Sequence, residues 1–189
     1  MTMKIGVISD THGHEMAWQR CFDKYFADAD LILHAGDVLY HGPRNPMKAD
    51  YNPAGLVQRI NSCPVPVVIA RGNCDSEVDA SCLELPVQAP YAYVYWQGRR
   101  IVVTHGHTCM MDAEKDSLAA HYHADIFISG HIHTNVLEKR GNTIFLNPGS
   151  PALSKRDDHR ATCAVIEDEG IRIYDIDTDE VLLEYKFNA

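Results

Sequence analysis

The stretch Asp125-Ile126-Phe127-Ile128-Ser129-Gly130-His131-Ile132-His133 decides how the rest of the chain is read. Its first half is short, rich in isoleucine and closed by Ser-Gly, the pattern of a buried strand. Its second half carries two histidines at i and i+2. On extended backbone that spacing turns both imidazoles to one side, where each can hand a nitrogen to one of two neighbouring metal ions. His-x-His alone is a common loop pattern. Here it is accompanied, because other apolar runs also end in candidate ligands: Asp10-Thr11-His12, Gly36-Asp37, Gly72-Asn73 and Thr104-His105-Gly106-His107.

Working outward, Ile5-Gly6-Val7-Ile8 reads as a central strand covered on both faces. Ala17, Trp18, Cys21, Phe22, Tyr25 and Phe26 follow the i, i+3, i+4 spacing of a helix. Residues 31–35 form the next strand. The segment Val38 to Asn52 has no period and contains Pro43 and Pro46; a loop of that length inside a compact domain is usually functional. Pro53 suits the first turn of a helix whose buried side is Leu56, Val57 and Ile60, and residues 65–70 form a third strand. Strand, helix, strand, helix, strand is the grammar of an α/β domain that delivers its strand ends, and their polar residues, to one edge.

After Pro86 the grammar changes. Residues 91–96 and 100–104, joined at Gln97-Gly98, read as a hairpin. Asp112 caps a helix to about His121. Residues 135–139 and 143–146, joined at Gly141-Asn142, form a second hairpin. The tail 161–187 supplies three more short strands, broken at Glu169-Gly170 and near Thr178-Asp179. These strands predict a second, mostly antiparallel sheet packed on the first.

The chain of 189 residues is expected to form a single domain, 1–189, with a real core. A formal charge of −9 argues against a protein that grips nucleic acid through a basic surface. Six cysteines without C-x-x-C pairs predict no disulfide framework. No apolar run approaches the eighteen residues of a membrane span, and no signal core follows Met1, so a cytoplasmic location is expected.

The ordered set Asp10-Thr11-His12, Gly36-Asp37, Gly72-Asn73-Cys74-Asp75, His105-Gly106-His107 and Gly130-His131-Ile132-His133 resembles the five blocks of the calcineurin-like metallophosphoesterases. His41-Gly42-Pro43-Arg44-Asn45, Arg71 to Asp79 and Asn147-Pro148-Gly149-Ser150 are similar to the small bacterial YfcE-type phosphodiesterases within that family. The resemblance implies a four-layer αββα sandwich of two mixed β-sheets flanked by helices. It implies one metal ion held by Asp10, His12, Asp37 and His133, and a second held by Asp37, Asn73, His105 and His131, with Asp37 shared. Imidazole and oxygen donors suit manganese first, with iron, zinc, nickel or cobalt as alternatives. A carboxylate between two ions holds them roughly 3.5–4 Å apart, where a bridging hydroxide can attack phosphorus in line. The implied activity is metal-dependent hydrolysis of a small phosphodiester. A phosphomonoesterase, a nuclease or a non-catalytic interaction scaffold of the same fold are the alternatives, and a homo-oligomer is compatible with the chain. No membrane partner and no stable nucleic-acid complex is expected.

The chain departs from the wider family at Cys74, where a histidine usually follows the asparagine and is thought to assist the leaving group. The candidate catalytic residues are therefore Asn73, Cys74, Asp75, His105 and His107. His41 could shape the pocket, and Arg44 and Arg71 could contact phosphate, with Lys155 and Arg156 weaker candidates. His14, His34, His121, His123 and His159 read as structural or surface positions.

Overall fold

A computed structural model describes residues 4–187. Two sheets lie face to face. The first has seven strands in the order β12-β11-β10-β1-β2-β3-β4, and the second has five in the order β5-β6-β7-β9-β8. In the first sheet, β1 (Lys4–Ile8), β2 (Leu31–His34), β3 (Val67–Ala70) and the two-residue β4 (Val87–Gln88) run parallel. In the second, β6 (Arg99–Val103), β7 (Ile126–Ile128) and β9 (Thr143–Asn147) are parallel, with β5 (Ala92–Trp96) and β8 (Val136–Arg140) antiparallel on the edges.

Hydrophobic contacts define the four layers. Between the sheets, Ile5, Val7 and Leu33 of the first meet Ile101, Val103, Ile126, Ile128 and Leu146 of the second. Each such side chain, fully buried, stabilises the fold by about 1.5–3 kcal/mol. Behind the first sheet, Ile8, Ile32 and Ile69 pack against Trp18 and Cys21 of α1 (Glu15–Cys21) and Leu56 and Ile60 of α2 (Pro53–Asn61). Behind the second, Val102, Phe127 and Phe145 pack against Ala119 of α4 (Asp112–His121). The αββα sandwich therefore follows from which face of each strand is apolar.

Several local expectations need correction. The tail strands β10 (Thr162–Glu167), β11 (Gly170–Asp175) and β12 (Val181–Lys186) extend the first sheet, because β10 pairs antiparallel with β1 through Val7 and Ala164. The second sheet is consequently mixed, with a parallel centre, rather than mostly antiparallel. The first helix passes at Phe22–Phe26 into a π turn, whose wider spacing keeps both Cys21 and Phe26 inside. A short helix not foreseen, α3 (Glu77–Cys82), begins at Ser76, which forms a capping box with Asp79. Its six residues bury none of their side chains, so no apolar period announced it. No helix among the described residues is long and apolar enough to cross a membrane.

Candidate metal centre

The parallel strands of both sheets point their C-terminal ends at one edge, where the ligand-bearing turns gather. Five candidate ligands sit in left-handed backbone: Asp10 (φ 55°), His12 (46°), Asp37 (58°), His131 (72°) and His133 (57°). Such conformations cost non-glycine residues of order 1 kcal/mol or more and persist where surrounding contacts over-determine them. They also correct the extended-strand argument for His131 and His133, whose side chains are aimed by tight turns beyond β7. Gly72 and Gly130 make the close approach feasible. A Cβ at Gly72 would collide with the carboxylate and amide of Asp37, and one at Gly130 with the Ser9 hydroxyl.

Asp10, His12, Asp37, His105 and His133 are buried together. His133 Nε2 lies 3.2 Å from Asp10 Oδ1 and 3.2 Å from His12 Nε2. Asp37 Oδ2 lies 3.6 Å from His12 Nε2 and 3.3 Å from His105 Nε2, between the two histidines. His131, half-buried at the rim, places Nδ1 3.2 Å from His105 Nε2. The ligand atoms of Asp10, His12 and His133, and those of Asp10, Asp37 and His105, form two compact sets within 4.8 Å. Asp10 thus reaches toward both sets, as Asp37 does.

The tautomers are set from behind. His12 Nδ1 donates to the Tyr40 carbonyl (2.7 Å), His105 Nδ1 to Ala35 (2.8 Å) and His133 Nδ1 to Leu153 (2.6 Å). A carbonyl can only accept, so each Nδ1 carries a proton and each ring turns inward Nε2, the atom left to donate a lone pair to a cation. Asp10 Oδ2 is occupied by the Ser9 hydroxyl (2.6 Å) and the His131 amide (3.0 Å), whereas Oδ1 is buried with no hydrogen-bond partner. Lone pairs of Oδ1 and two Nε2 atoms therefore converge with no hydrogen between them. A buried arrangement of that kind fits a cation, and the donor set suits a divalent transition ion.

The local electrostatics agree. Burial would raise the Asp37 carboxyl, but its bond to His105, the charges of His105 and His12, and the Cys74 amide (2.8 Å) hold it well below the usual carboxylate range. Burial lowers His105, yet the Asp37 bond and the two carboxylate charges together carry it up to about 9. Burial pushes His12 and His131 down.

The other candidates fall in different places. Asn73 lines the pocket but is exposed, with its amide donating to Cys74 Sγ (3.3 Å) and not to the buried cluster. Cys74 is half-buried, and its Sγ forms a third compact set with His12 and Asp37. Burial and the neighbouring Asp37 push its thiol up to about 12. Asp75 is buried and turned onto backbone: Oδ2 accepts from Asp37 N (2.9 Å) and Gly72 N (2.7 Å), and Oδ1 from Val38 N (2.7 Å). His107 is exposed, its ring 5.5 Å from that of His105. His41 packs edge-on against Tyr40 and Tyr51. Arg71 donates to the Asp75 carbonyl (3.0 Å), and Arg156 is engaged by Asp158 and Asn135.

The cavity over the cluster, about 510 Å³, is lined by His12, Asp37, Asn73, Cys74, His131 and His133. Its lining also includes Tyr40, Arg44 and Asn45 from the 38–52 loop and Lys155 from the segment after Ser150. Tyr40 and Ser76 were not anticipated, since a single tyrosine or serine carries no spacing signal. The loop is anchored: Gly13 N donates to Val38 O (2.7 Å), Asn52 N to Gly13 O (2.8 Å), and His14 Nδ1 pairs with Asp50 (2.9 Å). His34 braces the Gly36-Asp37 turn by accepting from Gly36 N (3.1 Å), with Nε2 on Thr11 Oγ1 (3.0 Å). Burial drops its pKa to about 3, so it stays neutral.

Comparison with known proteins agrees with this geometry. Residues 3–170 match the calcineurin-like phosphoesterase superfamily domain. The chain is 32% identical over 187 residues to phosphodiesterase YfcE of Escherichia coli K12, covering 98% of this chain and 99% of that protein. A solved structure of E. coli YfcE, a phosphoesterase, superposes with a TM-score of 0.84 at 31% identity, covering 98% of this chain and 100% of that one. Vacuolar protein sorting 29 of Cryptosporidium parvum shares the fold alone, with a TM-score of 0.72 at 16% identity and coverage of 100% and 99%. On the domain match, the near full-length identity and the shared architecture, the chain belongs to the calcineurin-like phosphoesterase superfamily.

Proposed function

We propose that the protein is a phosphodiesterase that works with two divalent ions, manganese first among them. The observation that carries the reading is the convergence of Asp10 Oδ1, His12 Nε2 and His133 Nε2 without a hydrogen between them, beside an Asp37 flanked by His12 and His105. Asp10, His12, Asp37 and His133 would hold one ion; Asp37, His105 and His131 would hold the other, with Asp10 within reach of it. Asn73 would join the second set by turning its amide off Cys74. When bound, two such ions supply positive charge for the phosphoryl oxygens and lower the pKa of water toward neutrality.

The protein's own part is positional. Asp75 fixes the amides of Asp37, Val38 and Gly72, and so fixes where the shared carboxylate points. The carbonyls of Tyr40, Ala35 and Leu153 hold three imidazoles in the tautomer that can donate a lone pair, an arrangement that typically strengthens metal binding. Hydrolysis adds the oxygen of water to phosphorus, breaks one ester P–O bond and passes one proton of water to the departing alcohol. Cys74 stands in the wall with a thiol that stays protonated and is a weak donor. Activated leaving groups, which depart without a proton, are therefore the favoured substrates. A reducing, cytoplasmic setting belongs to the same proposal and is supported by six free cysteines.

The test is a metal-resolved assay. Chelated protein, reloaded in turn with Mn²⁺, Fe²⁺, Zn²⁺, Ni²⁺ or Co²⁺, is offered bis(p-nitrophenyl) phosphate and p-nitrophenyl phosphate. Faster turnover of the diester, restored by metal, is expected. Monoester hydrolysis without diester activity would move the reading to a phosphatase, and inactivity with every metal would favour a scaffold.

A further inference from the structure

The cavity over the cluster carries two cations that the hydrolytic reading leaves without a task. Arg44 and Lys155 both line it, both are exposed, and neither side chain has an ion-pair partner among the described residues. In a chain of net charge −9, most of the other basic side chains are paired with carboxylates. Arg156 and Arg160 hold Asp158, Arg140 holds Asp116 and Glu138, and Arg172 holds Glu167 and Glu184. The cavity lining contains one carboxylate, Asp37, which belongs to the metal cluster.

Both cations are tied to the same half of the site. The Lys155 amide donates to the His133 carbonyl (3.1 Å). Asn45, next to Arg44, donates from its side chain to His41 O (2.8 Å) and places that amide 3.5 Å from His12 Nε2. His12 and His133 are themselves 3.2 Å apart at Nε2. Lys48 donates to the Ala152 carbonyl and so links the loop bearing Arg44 to the segment bearing Lys155. Tyr40, whose carbonyl orients His12, lines the same cavity and is 41% exposed. The rest of the lining includes Asn73, Cys74 and Ser76, which are uncharged.

We propose that Arg44 and Lys155 form a second anion subsite on the His12/His133 side. The substrate is then a small phosphodiester whose retained part carries a further phosphate and, against Tyr40, a planar ring, as in a nucleotide. This rests on the phosphodiesterase reading and narrows it. A single negative charge at the scissile phosphorus needs only the metal cluster; two free cations beyond it match a second phosphate in sign and in number. Arginine and lysine at exposed positions contribute modestly each, so the pair should favour the doubly anionic substrate by about tenfold at low salt. Because the subsite is solvent-facing, that preference should shrink as ionic strength rises.

The experiment compares two substrates that differ by one group: the p-nitrophenyl ester of thymidine 5′-phosphate, and the same ester with a 3′-phosphate. The ratio of their kcat/KM values on Mn²⁺-loaded enzyme is the readout, so the absolute rate of a variant does not enter. Wild type should prefer the 3′-phosphorylated ester about tenfold, mainly through KM. The double variant Arg44→Gln/Lys155→Gln should bring the ratio near one, and Arg44→Glu/Lys155→Glu should take it below one. A wild-type ratio near one, or a ratio untouched by both variants, overturns the subsite and leaves the phosphodiesterase reading standing. If neither ester is cleaved, that reading fails, and calorimetry on the metal-loaded protein decides the subsite. Tighter binding of thymidine 3′,5′-bisphosphate than of thymidine 5′-monophosphate, lost in the double variant, supports it; equal affinities overturn it.

Discussion

Asp75→Asn separates positioning from proton transfer at a residue that the motif pattern makes a catalytic candidate. The wild-type carboxylate accepts three backbone N–H groups, from Asp37 and Gly72 on Oδ2 and from Val38 on Oδ1, at 2.7–2.9 Å. An asparagine has one acceptor oxygen. If it takes the place of Oδ2, the amide NH₂ faces the Val38 N–H, donor against donor. One charge-assisted bond is lost and two become neutral. Hydrogen bonds to a charged partner contribute about 1.5–3 kcal/mol and neutral ones about half that, so the gross loss is about 4 kcal/mol. Burial already pushes the Asp75 carboxyl up, which means that part of its desolvation cost disappears with the charge. The net destabilisation should be about 2–3 kcal/mol. Denaturant unfolding of metal-free protein measures it as a shift in midpoint at constant slope. Since the Asp37 amide and Gly72 lose their anchor, metal affinity should fall about 10–100-fold by calorimetric titration. At saturating metal, turnover should return to within a few-fold of wild type. A loss of 10²-fold or more in kcat at full occupancy, with stability and affinity intact, would refute the reasoning and make Asp75 a group that moves a proton.

Two further outcomes follow from individual side chains. His34 is buried with a pKa near 3 against about 6.5 in the unfolded chain, so the neutral ring is favoured in the folded state. Its contribution is complete above pH 6.5 and is lost as pH falls toward 3. Stability should therefore drop about 1 kcal/mol per pH unit faster in wild type than in His34→Gln between pH 6 and pH 4, and parallel curves would contradict this. For Cys74, the rate over a series of diesters should depend steeply on leaving-group pKa, since no strong acid stands beside the departing oxygen. Cys74→His should flatten that slope and raise the poorest substrates by up to about 10²-fold or more, and equal slopes at equal metal occupancy would show that another group supplies the proton.

Much of the site was legible because polar residues interrupt otherwise apolar runs at strand ends, and a parallel sheet must bring such ends to one edge. Asp10, His12, Asp37, His105, His131 and His133 gather for that reason. What could not be read depends on partners distant in sequence. Alternating residues in the tail announce strands without saying that β10 joins β1. His131 and His133 are aimed by left-handed turns that a two-residue period does not encode. Asn73 and Asp75 flank Cys74 in one motif, yet one amide points at sulfur and the other carboxylate at backbone, a choice made by the Asp37 turn across from them.

The central claim is that two ions share Asp37. It is tested most directly by counting metal: wild type and Asp37→Asn are reconstituted with Mn²⁺, freed of excess, and analysed for metal per folded chain alongside turnover. The account predicts two ions per wild-type chain, and in Asp37→Asn weakened binding at both positions with activity lost. One ion per wild-type chain, or an Asp37→Asn protein that keeps both ions and full turnover, would contradict it.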